Sequence, residues 1–312
     1  MRTRSSLDPK LDIVFKLLFG EERNKALLVS LLNAVLNPEV PIRTVAVLHP
    51  DPGRERADDK AIVLDLRVGL ANGEQVDIEM QSRARLAPRK RALYYWARLY
   101  TSQLARGDRY DELRRCVVVM IADFNELESE RFHSVFRAQE VHGHEDLTDH
   151  FELHLVELPK LAEAIRKKEE PELVRWATFL SATTDQELQE LAMKDPVLQQ
   201  AKDALDRLSA DPEARLLAEQ REMALISYHL DLNEARKQGI VEGEARGRAE
   251  GEARGRAEGE ARGLASALLA VLAARQVTVG EEQRLRILAC TDLALLNQWL
   301  ARSAIVKAAS EL

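Results

Sequence analysis

The chain has 312 residues, of which 46% are hydrophobic and 31% are charged, and its formal net charge is -7. This length and composition allow one sizeable buried core and a smaller second unit, while the acidic balance argues against a uniformly basic nucleic-acid binder. Any contact with nucleic acid therefore requires a local basic patch.

Cysteine usage and hydropathy indicate the cellular setting. The two cysteines, Cys116 and Cys290, are far apart in apolar contexts, which excludes a disulfide framework and fits a reducing cytosol. The N-terminal residues lack the apolar core of a signal peptide, and no run of residues has the apolar length that spans a bilayer. We therefore expect a cytoplasmic protein without a membrane segment.

The first fifty residues predict two helices and a strand. The first helix begins near Asp8 and ends at Gly20, and the second covers residues 24–36. Residues 42–48 then form the first strand.

Residues 61–81 contain two alternating segments around a loop at 71–73. Apolar residues recur at every second position in both segments, which predicts two strands that each have an apolar and a polar face. Gly73 can adopt the left-handed conformation that closes a three-residue hairpin loop. With Asn72 at the centre, the numbers of paired residues sum to 144, whereas a two-residue turn would set every apolar residue opposite a polar one.

This register sets Asp65 opposite Glu79, with Gln81 on the same face. Two facing carboxylates repel by roughly 0.2–1 kcal/mol in a cross-strand pair, and a divalent cation would turn that repulsion into binding. Mg²⁺ takes one or two carboxylates with water and phosphate oxygens, and it can activate a water and polarise a phosphodiester. Gln81 can orient that water or a phosphate oxygen. Taken alone, the spacing favours a simpler alternative, a solvated polar face of the hairpin.

A basic cluster follows Gln81 and adjoins a predicted helix that starts at Pro88. Its members are Arg83, Arg85, Arg89, Lys90 and Arg91. Cations and helix-terminal N–H groups both bind phosphates, so the position of this cluster beside the predicted site favours contact with a DNA backbone. The alternative is a solvated run of charges.

Residues 115–121 and 151–158 are nearly continuous apolar runs, which are typical of buried strands. The same region contains four histidines, His142, His144, His150 and His154. They lack the spacing of a strong metal-ligand set, and we interpret the histidine segment as a polar loop.

Four segments together resemble the recombination-promoting nuclease (Rpn) and putative transposase family of PD-(D/E)XK nucleases. They are LDPKLDIVFKLLFG, LDLRV with VDIEMQ, RKRALYYWARLYTSQLARGDRYDEL and FELHLVELPKL. Each is short, but their order and spacing are specific, and the resemblance covers about residues 7–240. Gln81 departs from the Lys that this motif commonly has, as it does in related family members.

The resemblance implies an α/β fold, with a restriction-endonuclease-like mixed sheet flanked by helices and a mostly α-helical C-terminal part. It implies a Mg²⁺- or Mn²⁺-dependent DNA endonuclease in which Asp65 and Glu79 hold the metal, and Gln81 and Lys16 complete the catalytic set. Asp12 and Lys16 match the family's DxVFK motif, although an exposed Asp–Lys pair one helical turn apart explains them equally well. The alternative function is a nuclease-fold protein that binds DNA or mediates oligomeric interactions without cleavage.

The composition changes abruptly late in the chain, where glycine recurs at every fourth position from Gly239 to Gly263. These seven glycines cost a helix roughly 6–7 kcal/mol relative to alanine, and five Glu–Arg pairs return only about 1–2.5 kcal/mol. The segment alone should therefore fray. It is either a low-complexity linker or a helix that packs on a partner and supports a homo-oligomer.

The predicted organisation has four parts. They are a nuclease-like core at 1–160, a helical extension at 161–237, the glycine repeat at 238–263 and a small helical unit at 264–312. The last unit contains apolar residues that predict a small bundle core, namely Leu268, Leu269, Leu272, Leu285, Ile287, Leu288, Leu296 and Trp299.

Overall fold

The computed structural model describes residues 5–48, 66–83 and 87–312. Contacts within the chain divide it into two compact units, Met1–Leu225 and Ile226–Leu312. None of the helices in these described ranges is long and apolar enough to cross a bilayer.

Helices and strands alternate in the first unit. The elements up to the last strand are α1 (Asp12–Gly20), α2 (Lys25–Leu36), β1 (Val45–Leu48), β2 (Leu66–Leu70), β3 (Gln75–Gln81), α3 (Pro88–Thr101), β4 (Cys116–Ala122), β5 (His133–Gln139) and β6 (Asp146–Glu157). The helices that follow are α4 (Leu161–Lys167), α5 (Pro171–Ser181), α6 (Asp185–Lys194), α7 (Pro196–Ala210), α8 (Pro212–Ala274), α9 (Glu281–Ala289) and α10 (Leu293–Ser303).

Within the described residues, six strands form one mixed sheet in the order β1-β2-β3-β4-β6-β5. The three strands β3, β4 and β6 run parallel, while β1, β2 and β3 pair antiparallel, as do β5 and β6. A mixed sheet flanked by helices, with a long helical part after it, confirms the predicted fold class.

The hairpin of β2 and β3 has the predicted register. Leu66 pairs with Ile78 and Val68 pairs with Val76, so the numbers of the paired residues sum to 144. Gly73 has a φ of 86°, the left-handed conformation that the three-residue loop requires. Asp65 lies outside the described residues, so its pairing with Glu79 stays a prediction.

Both faces of the sheet are covered by helices, which explains the continuous apolar sequence of β4. Val117, Val119 and Ile121 belong to a core that includes residues of α1, α2, α5 and α7. Val118 and Met120 belong to a second cluster on the opposite face, where α3 packs. All seven residues of β4 are therefore buried.

The helices after the sheet share the first of these cores. Trp176 of α5 is fully buried, and its ring lies 5.5 Å from that of Phe19 on α1 in an edge-on contact. Leu198 and Leu205 of α7 and Ala218 of α8 belong to the same core. Residues 161–218 therefore bury their apolar faces together with the sheet rather than in a separate core.

The strand β5 was not predicted, and β6 begins five residues before the predicted start at residue 151. The sequence of β5 is largely polar because this strand lies at the sheet edge and is mostly exposed or half-buried. The polar-loop interpretation holds for His142 and His144, which are exposed in the turn between β5 and β6. It is wrong for His150 and His154, which lie within β6.

The second unit contains the remainder of α8, followed by α9 and α10. Its core includes Leu268, Leu272, Ile287, Leu296 and Trp299 from the predicted set. The side chains of Leu285 and Leu288 are exposed instead, because they lie on the solvent side of the short helix α9. The glycine repeat is helical, and a methyl group built at any of its seven glycines meets no described atom within 4 Å.

Candidate active site

The carboxyl ends of the parallel strands β3, β4 and β6 meet at one edge of the sheet. Gln81 lies beside Ala122, which lies beside Glu157. The backbone N–H of Asp123 donates to the carbonyl oxygen of Gln81 at 2.9 Å and keeps the chain after β4 against β3. In open sheets with parallel strands, ligands bind at this edge, so the last residues of β3 are well placed to contact a substrate.

The polar face of β3 is buried. Glu79 is 4% exposed and Gln81 is 6% exposed, because α3 packs over this side of the sheet with Ala92 and Tyr95 buried. The alternative of a solvated hairpin face is therefore wrong. A carboxylate in such a position needs a charged or hydrogen-bonding partner, since an isolated buried charge is strongly disfavoured.

Gln81 and Arg91 both contact Glu79, and these three residues form the acid–amide cluster. The Nε2 of Gln81 donates to Oε2 of Glu79 at 2.7 Å, and the Nη2 of Arg91 lies 3.4 Å from Oε1. Arg91 also donates from Nε to the hydroxyl of Tyr95 at 2.6 Å, with its guanidinium 5.0 Å from the centre of that ring. Arg91 is thus turned toward the carboxylate.

The side-chain oxygen of Gln81 is buried and accepts no hydrogen bond from the described residues. The reason is geometric, since the amide nitrogen is committed to Glu79 and the oxygen must point elsewhere. A buried acceptor without a donor costs about 1–3 kcal/mol. Carboxylate and amide oxygens are the hard ligands that Mg²⁺ and Mn²⁺ prefer, so Glu79 and Gln81 fit a divalent cation.

The remaining predicted catalytic residues are less fully described. Asp65 lies outside the described residues. Asp12 is largely buried and is bound by Arg221 of α8, whose Nε lies 2.8 and 2.9 Å from the two carboxylate oxygens. An exposed Asp–Lys pair is therefore the wrong alternative for Asp12. Lys16 is half-buried one turn further along α1, and its catalytic role stays a prediction.

The described members of the basic cluster differ in their exposure and in their partners, and the predicted DNA contact of all five stays a prediction. Arg83 and Lys90 are exposed, and Arg85 lies outside the described residues. Arg89 is 66% exposed and donates to the carboxylate of Glu126 at 2.6 Å, whereas Arg91 is only 24% exposed. A phosphate contact by Arg91 would require its guanidinium to leave Glu79, while the other described members already face solvent.

A second buried polar group, the histidine cluster, lies on the opposite face of the sheet and has no counterpart in the sequence-based prediction. His133 is within 2.7 Å of Glu170 and within 2.8 Å of His154, which is in turn within 2.7 Å of Glu152. All four ring nitrogens therefore have partners. The cluster borders a cleft of about 760 Å³ between the end of α2, the strands β5 and β6, and the start of α5.

Glu152 is the centre of this histidine cluster. Its two carboxylate oxygens accept from Arg115 and Arg137, each at 2.7 Å. Burial alone raises the pKa of Glu152, but the hydrogen bond and charge of His154, with the two arginines, lower it to about 2. Burial lowers the pKa of His154 against the opposing effect of Glu152. The alternation of Glu152 and His154 in β6 is a sequence signal from which this cluster could have been suspected.

Within the described residues, no group of three or more His, Cys, Asp and Glu side chains is arranged to hold a metal ion. The histidine cluster forms a chain of pairwise contacts rather than a set of ligands that converge on one point. The predicted metal site combines Glu79 with Asp65, and Asp65 is not among the described residues.

Comparison with known proteins gives one match. A family model described as PD-(D/E)XK nuclease family transposase matches residues 9–235, which is 227 of 312 residues. The matched range contains the whole sheet, α3 and every predicted site residue. Searches of curated proteins and of solved structures gave no match.

Proposed function

Because the chain belongs to the PD-(D/E)XK nuclease family transposases, we propose that it is a Mg²⁺-dependent DNA endonuclease that hydrolyses phosphodiester bonds and accepts Mn²⁺ in place of Mg²⁺. The observation that supports the proposal is the buried pair of Glu79 and Gln81 at the carboxyl edge of β3, in which the Gln81 oxygen has no donor among the described residues. A bound cation or a water beside it would satisfy that oxygen.

Each residue has a distinct role in this proposal. Asp65 and Glu79 hold the cation, which when bound activates a water and offsets negative charge on the phosphate. Gln81 fixes one oxygen of Glu79 through its amide nitrogen, and its own oxygen accepts from the attacking water and orients it. Lys16 stabilises negative charge that develops on the phosphate. Burial beneath α3 strengthens these interactions because it excludes bulk water.

Because the net charge of the chain is -7, we propose that DNA binds to a small basic part of the surface. Arg83, Arg85, Arg89 and Lys90 lie at the exit of β3 and the start of α3 in the sequence. Exposed cations next to the reaction centre hold the backbone in register and carry no sequence preference by themselves.

Nicking of supercoiled plasmid DNA by the purified full chain tests the proposal. We expect nicking with Mg²⁺ or Mn²⁺ that is abolished by EDTA, and a loss of at least about a hundredfold in Glu79→Gln, as is typical when a group that stabilises the transition state is removed. Glu128→Gln is the matched control, because Glu128 is exposed in the loop after β4 and has no part in the site. Equal nicking by Glu79→Gln and the parent would overturn the proposal.

The second candidate function is a nuclease-fold protein that binds DNA or self-associates without cleavage. The long glycine helix favours it, since α8 continues for 63 residues and a methyl group built at any of the seven repeat glycines has open space around it among the described residues. Binding of plasmid DNA without metal-dependent nicking would select this alternative. We propose self-association through the repeat under either function, because an isolated helix with this glycine content is unstable.

A further inference from the structure

The glycine repeat of α8 carries its charges in bands that alternate in sign along the helix. Each glycine from Gly243 to Gly259 has a like-charged residue directly before and after it, glutamates at one glycine and arginines at the next. Glycines four residues apart lie about 6 Å apart along the helix axis, so the sign changes with that spacing. In chain order the bands are Glu242 and Glu244, Arg246 and Arg248, Glu250 and Glu252, Arg254 and Arg256, Glu258 and Glu260, and the single Arg262.

These charges are accessible to a second helix. All residues from 241 to 260 are exposed, and the space beside each glycine is open among the described residues. Within the described part of the chain the repeat forms one internal ion pair, between Glu252 and Arg256 at 3.5 Å, and Arg256 is still 82% exposed. Neighbours of a glycine in sequence lie about 100° to either side of it on the helix, so a helix laid over the glycines would have charges on both flanks.

The order of the bands distinguishes the two symmetric orientations of a second copy. In a parallel pair in register, every band lies beside a band of the same sign, which is unfavourable. In an antiparallel pair whose residue numbers at one level sum to 506, Gly247 lies beside the partner's Gly259, and Gly251 lies beside the partner's Gly255. All six bands then meet a band of opposite sign, and glycine meets glycine where the backbones approach most closely.

We propose that two copies of this chain associate through an antiparallel pair of their α8 repeats, centred at the level of Ala253, with the charge bands setting orientation and register. The two-fold axis makes this interface self-complementary, so the assembly closes as a dimer. A parallel pair shifted by four residues would also oppose the charges, but it is heterologous and does not close. This inference specifies the self-association proposed above, and it depends neither on a metal nor on DNA cleavage.

The same register has a consequence for apolar surface. Ile240 and Val241 are exposed just before the bands, and antiparallel pairing sets them at the level where the partner's α8 packs into its C-terminal helical unit. In that unit Leu285 and Leu288 are exposed as well. Apolar contact at both ends would add stability that exposed ion pairs supply only weakly.

Analytical ultracentrifugation of the full chain tests the orientation through a charge reversal and its rescue. Arg246→Glu with Arg248→Glu sets four glutamates of one copy's bands against the partner's Glu258 and Glu260 and their symmetry equivalents. We expect the dimer dissociation constant to rise at least about tenfold, because the two-fold axis turns four attractive contacts into repulsive ones. Adding Glu258→Arg and Glu260→Arg to the same chain should bring the constant back to within about threefold of the parent.

The matched control is Arg236→Glu with Lys237→Glu. These two residues are exposed on the same helix before the first band, and the change in net charge is identical. We expect this control to dimerise as the parent does, and circular dichroism checks that all variants keep their helix content.

Disulfide formation reads the orientation directly, in a background with Cys290→Ser. Gly247→Cys alone should not form a crosslink, since in the antiparallel pair its two copies lie 12 residues, or about 18 Å, apart along the axis. An equimolar mixture of Gly247→Cys and Gly259→Cys should form a crosslinked heterodimer.

The outcomes separate this proposal from the proposed nuclease function. A monomeric parent, a crosslink within Gly247→Cys alone, larger open assemblies or failure of the charge rescue would each overturn the antiparallel dimer. Metal-dependent nicking by such a protein would leave the nuclease proposal intact. A dimer with the expected rescue but without nicking would support the inference and overturn the nuclease.

Discussion

The two faces of the sheet each bury a polar cluster, and the clusters differ in how completely their atoms are bonded. In the histidine cluster, the contacts that link Glu152, His154 and His133 are all 2.7–2.8 Å. In the acid–amide cluster, the buried oxygen of Gln81 has no donor in the part of the chain that the structure describes, and the contact of Arg91 with Glu79 is 3.4 Å.

This difference separates a group that stabilises the fold from one that is available for chemistry. In the histidine cluster every carboxylate oxygen of Glu152 and every ring nitrogen of the two histidines is bonded, and among the described residues only the Nε of Arg115 lacks a partner. A buried network bonded in this way rigidifies the structure and has little capacity left for a ligand. A buried acceptor without a donor costs stability and persists where an external partner supplies the missing interaction. The acid–amide cluster, whose Gln81 oxygen has no donor among the described residues, is therefore the better candidate for a reaction centre, although the histidine cluster borders a cleft of about 760 Å³.

The largest expected effect comes from the same substitution made in both clusters. Glu152→Gln should lower the free energy of unfolding by about 3–5 kcal/mol, because it leaves two arginines and a histidine around a neutral amide. Glu79→Gln should change it by less than about 1 kcal/mol without metal, because the loss of a long contact with Arg91 is offset by relief of the predicted repulsion with Asp65. Urea unfolding of the full chain measures the stability of both variants. Similar losses of stability in the two variants would contradict the proposed difference between the two clusters.

Acid titration gives an independent measure of the same cluster. The folded-state pKa of Glu152 is about 2 against an ordinary value of 4.5, so its contribution is present above about pH 4.5 and is lost as the pH falls toward 2. The difference in stability between parent and Glu152→Gln should shrink across this range. If the difference in the free energy of unfolding between parent and variant were the same at pH 5 and at pH 2.5, the charge of Glu152 would not be the source of that stability.

A smaller effect is expected from the exposed cations near the acid–amide cluster. Changing Arg89 and Lys90 together to alanine should weaken DNA binding and reduce the slope of log affinity against log salt by about 1.8, from roughly 0.9 per phosphate contact. Arg91 is left intact because it contacts Glu79 in the absence of DNA. Binding to a fluorescent duplex over a range of salt concentrations measures the slope. An unchanged slope would show that Arg89 and Lys90 are solvated surface charges that do not contact phosphate.

The smallest expected effect concerns the glycine helix, in which the space beside each repeat glycine is open among the described residues. Replacing Gly247, Gly251 and Gly255 with alanine raises helix propensity by about 3 kcal/mol in total. If the glycines allow a second helix to approach closely, the added methyl groups should weaken self-association. Analytical ultracentrifugation measures this, with circular dichroism beside it. Increased helicity with an unchanged mass distribution would indicate a linker.

Local patterns were sufficient to predict much of the sheet. The period-two alternation around Asn72 specified the register of β2 and β3, because a shift by one residue would expose every apolar side chain of a buried face. The continuous apolar run of β4 indicated a strand covered on both sides. Helix capping is equally local, since the carboxylate of Asp195 accepts from the backbone N–H groups of Val197 and Leu198 at the start of α7.

Tertiary structure alone decided which polar residues are buried and what they contact. The contact between Arg115 and Glu152 joins residues 37 positions apart, and that between Asp12 and Arg221 joins residues 209 apart. No short-range periodicity encodes such pairs. The sequence likewise placed Arg91 in a basic run, but its direction toward Glu79 depends on how α3 packs across β3. Side-chain partners of this kind follow from the packing of whole elements, and that packing is a property of the complete core rather than of any local segment.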